Sequence, residues 1–93
     1  MQNLIQKEIV QTRAQKIKEI LEKSGINVKD RDIEFGGNFY IIELICMRQD
    51  KAEELYISLN ESCVSIANFQ KYKSCVLMTE DLQFIANTVN DYF

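Results

Sequence analysis

The chain has 93 residues, of which 46% are hydrophobic and 27% charged, and a net charge of −3. A chain of this length can bury one hydrophobic core, so we expect a single domain over residues 1–93. No apolar run comes near the roughly 20 residues that cross a bilayer, and no basic-then-apolar leader opens the sequence, so the pattern excludes a membrane-spanning protein and favours a cytoplasmic one.

The first predicted element is a helix over residues 2–24. Apolar side chains recur there every three or four residues, and most basic side chains fall on the opposite side. Gly25 follows the last turn, where a glycine takes the left-handed conformation that ends many helices, and Ile26 can pack back on that turn. The apolar positions are Ile5, Ile9, Val10, Ala14, Ile17, Ile20 and Leu21.

Residues 39–47 form the densest apolar segment, with Glu43 as its single charge. Their β-branched and aromatic side chains predict a central strand, and Gly36-Gly37-Asn38 predicts a hairpin turn from a short strand over residues 30–35. Both faces of the central strand are apolar, so both need cover. One face holds Phe39, Ile41, Ile45 and Met47, and the other holds Tyr40, Ile42, Leu44 and Cys46.

Two registers of this hairpin compete. A two-residue loop pairs Ile33 with Tyr40, whereas a three-residue loop pairs it with Ile41. The longer loop also sets Arg31 opposite Glu43. We favour it because Glu43 then gains a cross-strand neighbour of opposite charge.

Residues 50–60 fit two patterns. As a helix, they would be capped by Asp50 and would present an apolar stripe. As a strand, Leu55, Ile57 and Leu59 alternate with polar positions, and the alternation resumes at Val64 after a polar turn. We favour the strand because matching alternation on both sides of a polar turn is typical of a hairpin.

The last two elements are a strand over residues 75–78 and a closing helix. Thr79 is the predicted helix cap, with Glu80 and Asp81 favourably placed in the first turn. The elements together predict an α+β fold with an N-terminal helix, an antiparallel sheet of four to five meandering strands and a C-terminal helix. A helix at residues 50–60 would instead give the order αββαββα.

No catalytic or cofactor motif is present. The chain contains no histidine, which removes the commonest general base and the commonest metal ligand. Cys46, Cys63 and Cys75 lack the close pairs of zinc sites, and their apolar surroundings predict reduced, buried thiols. The sequence therefore predicts no enzymatic activity, no catalytic residue, no cofactor and no metal.

Nucleic-acid contact has weak support. Residues 1–25 carry five basic and three acidic side chains, whereas residues 30–61 carry three basic and eight acidic ones. Basic and aromatic side chains interleave near residue 72. The candidate nucleic-acid contacts are Lys16, Lys71, Tyr72 and Lys73.

A protein partner is the favoured reading. If both helices cover one face of the sheet, one apolar side of the central strand stays uncovered, and such patches mark interfaces. Either side could be the uncovered one, and we favour an interface of Tyr40, Ile42, Leu44 and Tyr56.

The predicted function is that of a small non-enzymatic protein-binding module. The frequent Ile, Lys and Asn residues suit a low-GC bacterium or its phage, where such chains serve as immunity proteins, anti-CRISPR or other anti-defence inhibitors, or regulators of larger machines. Self-association as a homodimer belongs to the same hypothesis. The alternatives are a nucleic-acid-contacting regulator and an assembly subunit, and no membrane partner is expected.

Overall fold

The computed structural model describes residues 2–35, 39–48, 53–77 and 81–93. These residues form two helices and five strands, and each strand pairs antiparallel with its sequence neighbour in one sheet of order β1-β2-β3-β4-β5. The predicted α+β fold is confirmed. The elements are α1 (Gln2–Lys23), β1 (Ile26–Phe35), β2 (Phe39–Arg48), β3 (Glu54–Leu59), β4 (Val64–Asn68), β5 (Lys73–Leu77) and α2 (Leu82–Tyr92).

Helix α1 buries most of the predicted apolar positions, but Ile9, predicted to be one of them, is 40% exposed. The helix ends at the predicted glycine. Gly25 has a φ of +88°, a left-handed conformation that costs most other residues free energy. Its N–H donates to the carbonyl of Glu22 at 3.1 Å, which satisfies one of the unpaired carbonyls of the last turn. The buried side chains of α1 are Val10, Ala14, Ile17 and Leu21.

Strands β1 and β2 pair in the predicted register. Ile33 lies opposite Ile41, and Arg31 opposite Glu43, so the three-residue connection is confirmed. The turn residues 36–38 lie outside the described part of the chain. Strand β1 starts at Ile26, four residues before the predicted start, so Ile26 opens a strand rather than closing the helix.

Residues 54–59 form β3, so the predicted strand is confirmed and the alternative helix over residues 50–60 is wrong. In the turn to β4, the side-chain oxygen of Asn60 accepts hydrogen bonds from the backbone N–H groups of Ser62 and Cys63, both at 2.8 Å. This Asx-type turn fixes the hairpin that the matching alternation predicted. Its buried side chains are Leu55, Ile57, Leu59, Val64 and Ile66.

Helix α2 begins later than predicted, and its cap is a different residue. Asp81 is the N-cap, and its carboxylate accepts the N–H of Phe84 at 3.1 Å. A carboxylate at this position satisfies an unpaired N–H and also interacts favourably with the helix dipole. The prediction that Asp81 lies within the first turn is therefore wrong, and Thr79, the predicted cap, lies outside the described residues.

Both helices pack on the same side of the sheet. The buried side chains of α1 and α2 belong to one cluster with alternate residues of β1 to β4, and the two helices contact each other. Burying a side chain of this size contributes about 1.5–3 kcal/mol, so this cluster is the main source of stability. The contribution of the sheet includes Val28, Ile42, Leu44, Cys46, Leu55, Ile57, Leu59 and Ile66.

The single fully buried polar side chain among the described residues, Asn68, connects the end of β4 to α2. Its amide nitrogen donates to the backbone carbonyl of Tyr92 at 2.8 Å. Its oxygen accepts the backbone N–H groups of Gln70 and Lys71 at 3.1 and 3.2 Å. The Asn68 side chain thus holds together the β4–β5 turn and the end of α2.

The thiol of Cys46 gives the protein a predicted alkaline limit. Burial among the core side chains raises its pKa to about 12, whereas the unfolded thiol ionises near 9.0. The free energy that Cys46 contributes is therefore fully present below pH 9.0. Above that pH the unfolded chain releases the proton first, and we expect stability to fall by up to about 1.4 kcal/mol per pH unit.

Urea unfolding of the protein and of Cys46→Ala, measured below and above pH 9.0, checks this expectation. The tyrosines ionise in both proteins, so the difference between the two curves isolates the thiol. We expect the unfolding free energy of the parent chain to fall relative to that of Cys46→Ala as the pH rises above 9.0. Parallel losses of stability in the two proteins would show that Cys46 has no part in the alkaline limit.

Candidate interaction surface

The side of the sheet that points away from the helices is an uncovered surface of mixed apolar and polar side chains, which we name the open face. It consists of alternate residues of all five strands, and neither helix lies over it. Most of its side chains are shielded in part by their strand neighbours, while Val76 on the last strand is 61% exposed. Its apolar members include Ile33, Ile41, Ile45, Met47, Tyr56, Ala67 and Val76.

The apolar side chains of the open face meet across β2, β3 and β4. Ile45 lies opposite Tyr56, and Tyr56 lies opposite Ala67. The ring of Phe69, 68% exposed, packs against that of Tyr56 with 5.5 Å between centroids and 49° between planes. Tilted ring pairs at this distance are favourable beyond the area they bury. The result is an apolar row across the middle strands of the open face, bordered by a polar row of Glu43, Ser58 and Ser65.

Two charged side chains of the open face are paired with each other. Arg31 Nη2 lies 2.6 Å from Glu43 Oε1, which is the pairing predicted from the register. The hydroxyl of Tyr56 donates to Glu54 Oε2 at 2.5 Å, and this bond raises the pKa of Tyr56 above its ordinary value. Lys29, opposite Ile45, adds an exposed cation, so the open face combines apolar side chains with charged ones.

The four predicted interface residues do not lie on one side of the sheet. Tyr56 lies on the open face, as an interface residue requires. Ile42 and Leu44 are 3% and 0% exposed beneath the helices, so the prediction that they form an exposed patch is wrong. The reason is that α1 packs across β1 and β2 on their side of the sheet. Tyr40 lies at the margin of that covered side, where its hydroxyl donates to Asp32 at 2.8 Å.

Two of the predicted nucleic-acid contacts are engaged within the chain. The Lys71 ammonium donates to the backbone carbonyl of Phe93 and lies 3.5 Å from a carboxylate oxygen of Glu53. The Lys73 ammonium lies 6.0 Å from the ring centroid of Tyr92. Both lysines therefore serve the packing of α2 against the sheet.

The other two predicted contacts are exposed but lie on different parts of the fold. Tyr72, in the β4–β5 turn, is 96% exposed and has a φ of 54°. Lys16 is exposed on α1, which packs on β1 and β2, near the edge of the sheet opposite β5. The four residues do not form one basic surface.

Metal-binding groups and unsatisfied buried polar groups are absent from the described residues. These residues contain no group of three or more His, Cys, Asp or Glu side chains that could hold a metal ion. Every buried side-chain nitrogen or oxygen in this part of the chain has a hydrogen-bond partner. Neither described helix is long and apolar enough to cross a membrane.

Sequence reasoning missed Phe69 and Val76 as surface residues. Phe69 belongs to the stretch of interleaved basic and aromatic residues, and the pairing of Tyr56 with Ala67 is what places it beside Tyr56. Val76 was assigned to a strand, but the side of the sheet that it faces was not predicted. The alternation that starts at Val64 carries the signal, because it fixes which residues of β4 and β5 point away from the helices.

The chain has no significant match among protein families, curated proteins or solved structures.

Proposed function

We propose that the protein is a small non-enzymatic module that binds a protein partner through the open face, as an inhibitor or regulator of a larger machine. A bacterial or phage setting, with immunity or anti-defence roles, remains part of the proposal on composition alone. The observation that carries it is the packing of both helices on one side of a sheet whose second strand, β2, is apolar on both sides except at Glu43.

The size of the open face supports a protein partner. Five strands spaced about 4.8 Å apart make a surface about 24 Å wide, and six residues along each strand extend about 20 Å. The flat projection is about 480 Å², and the pleated, side-chain-covered surface has a larger accessible area. A stable interface uses about 800 Å² per partner, so a partner would cover this face and also contact the residues around its margin.

The chemistry of the open face favours a protein over a nucleic acid. Phosphate backbones are bound by unpaired cations, and the net charge of the chain is −3. On the open face, Arg31 is neutralised by Glu43, Glu54 adds a carboxylate beside Tyr56, and Lys29 is a single further cation. Apolar area with paired charges resembles the centre of a protein interface.

A capture experiment with paired variants tests the proposal. The tagged protein, Ile45→Lys and Ile9→Lys are each incubated with extract of the organism that encodes the chain. Ile45 lies on the open face, whereas Ile9 is a 40% exposed apolar residue of α1 and serves as the matched control. We expect one specific protein to be retained by the parent chain and by Ile9→Lys, and to be lost from Ile45→Lys.

Two results would contradict the proposal. One is retention that Ile45→Lys leaves unchanged. The other is retention of nucleic acid that falls steeply with salt and is lost from Tyr72→Ala, which would establish the nucleic-acid alternative instead.

A further inference from the structure

Tyr72 is the most exposed large hydrophobic side chain among the described residues, at 96%. It is the last residue of the turn between β4 and β5, which pair with Asn68 opposite Lys73. Its φ of 54° lies in the left-handed region, which glycine adopts readily and which is unfavourable for a residue with a Cβ atom. The chain therefore holds a tyrosine at a backbone position that suits glycine, with the ring almost entirely in water.

The ring of Tyr72 contributes almost nothing to the fold. A side chain that is 96% exposed buries almost no area against its own chain. The turn is held by other groups, because the Asn68 side chain accepts the N–H groups of Gln70 and Lys71. Local features that lower stability without a compensating contact are expected at functional sites. The ring is therefore available to a second molecule.

Tyr72 lies at the margin of the open face. It lines one cleft together with Phe69 and Ser74. Ser74 pairs with Ala67, which lies on the open face opposite Tyr56. The Phe69 ring also packs on the ring of Tyr56. Aromatic side chains thus connect the middle of the open face to the turn that carries Tyr72.

We propose that Tyr72 is the anchor residue for the protein partner of the open face, and that its ring enters an apolar recess on that partner. The inference rests on the proposed function, because it requires the partner to cover the open face. A partner uses about 800 Å², more than the flat projection of about 480 Å². A buried tyrosine contributes about 150–250 Å², much of the difference. Tyrosine is also among the side chains most enriched at interface hot spots.

The charge around Tyr72 indicates what borders that recess. Residues 68–77 contain two lysines and no acidic residue, whereas the whole chain has a net charge of −3. The Lys71 ammonium is held within the chain by the Phe93 carbonyl. Lys73 is exposed and is the cation that a partner meets. Carboxylate groups of a protein partner complement it, whereas a phosphate backbone is bound by several free cations.

Tyr72→Gly separates binding from folding, because the two are expected to change in opposite directions. Glycine relieves the left-handed position, so urea unfolding should show the folding equilibrium constant rising about two- to fivefold. The protein captured by the parent chain is purified, and its Kd for each variant is measured. Tyr72→Gly should raise that Kd about 30-fold, the effect of losing one hot spot. Tyr72→Phe keeps the ring and should raise the Kd by no more than about threefold.

Three further variants complete the test. Phe84→Ala removes a 52% exposed ring from α2, which packs on the other side of the sheet, and should leave the Kd unchanged. Lys73→Glu places a negative charge beside the carboxylates of the partner and should slow association about fivefold at low salt. Ile45→Lys should lose the partner, as the proposed function requires.

Two outcomes would overturn the inference and leave the proposed function standing. One is a Tyr72→Gly variant that binds like the parent chain while Ile45→Lys does not bind. The other is a Tyr72→Gly variant that is less stable than the parent chain, since the ring would then have a structural role. An association rate that Lys73→Glu leaves unchanged would overturn the acidic border assigned to the recess.

Two other outcomes would overturn the inference together with the proposed function. Loss of the partner from Tyr72→Gly but not from Ile45→Lys would mean that the partner does not cover the open face. Retention of nucleic acid in place of a protein, or of no protein at all, would remove the partner on which both depend.

Discussion

Replacing Ile42 with lysine is expected to unfold the protein, whereas replacing its neighbour Ile41 with lysine leaves it folded. Ile42 is 3% exposed and belongs to the core beneath the helices. A lysine there loses the apolar contacts and buries an ammonium group without a partner, which together cost more than about 4 kcal/mol. A loss of that size removes most of the stability of an ordinary small domain.

Ile41 points to the open face, where the ammonium group of a lysine reaches water along the strand surface. We expect Ile41→Lys to keep the far-ultraviolet circular dichroism of the parent chain and to lose less than about 1 kcal/mol in urea unfolding. The two adjacent positions differ only in the side of the sheet they face. Equal losses in the two variants would mean that the helices do not cover the side assigned to them.

The second large effect is expected at Asn68. Asn68→Leu keeps the number and branching of the side-chain heavy atoms but removes the acceptor for the N–H groups of Gln70 and Lys71 and the donor to the Tyr92 carbonyl. Unsatisfied groups in a buried site each cost about 1–3 kcal/mol, and partial access of water to the turn lowers the sum. We expect a loss of about 3 kcal/mol in urea unfolding.

Two further variants separate the roles of Asn68. Asn68→Asp keeps an acceptor for the turn but loses the donor to Tyr92, so we expect hydrogen exchange to increase at the end of α2 more than in the turn. Asn27→Leu replaces an exposed asparagine of β1 and should change stability by no more than about 0.5 kcal/mol. An Asn68→Leu variant as stable as the parent chain would show that the buried amide has no structural role.

The local part of the fold could be predicted from the sequence. The charge pair Arg31–Glu43 selected the correct hairpin register, since a single-residue slip would have removed it. The alternation of Leu55, Ile57 and Leu59 identified a strand where a helix was also possible. In both cases the deciding signal came from residues close together in the chain.

The side of the sheet that the helices cover could not be predicted in the same way. Strand β2 is apolar on both sides, so its own sequence does not distinguish Ile42 from Ile41. The distinction comes from β1, where Ile26 and Val28 are buried opposite Arg48 and Cys46. Because the predicted strand began at residue 30, these two residues were left out, and the interface was assigned to the covered side.

The contact between Phe69 and Tyr56 depends on tertiary structure to a greater degree. The two rings lie 5.5 Å apart because β3 and β4 pair with Tyr56 opposite Ala67. No spacing rule within a single helix or strand carries that information.

The order of the strands also determines how the protein folds. Every strand pairs with its sequence neighbour, so the whole sheet can grow by successive hairpin closures that each join short stretches of chain. The contact between α1 and α2 is different, because it joins segments from the two ends of the sequence. Closing that long loop has the highest entropic cost, so the helix layer is expected to complete folding after the hairpins have formed.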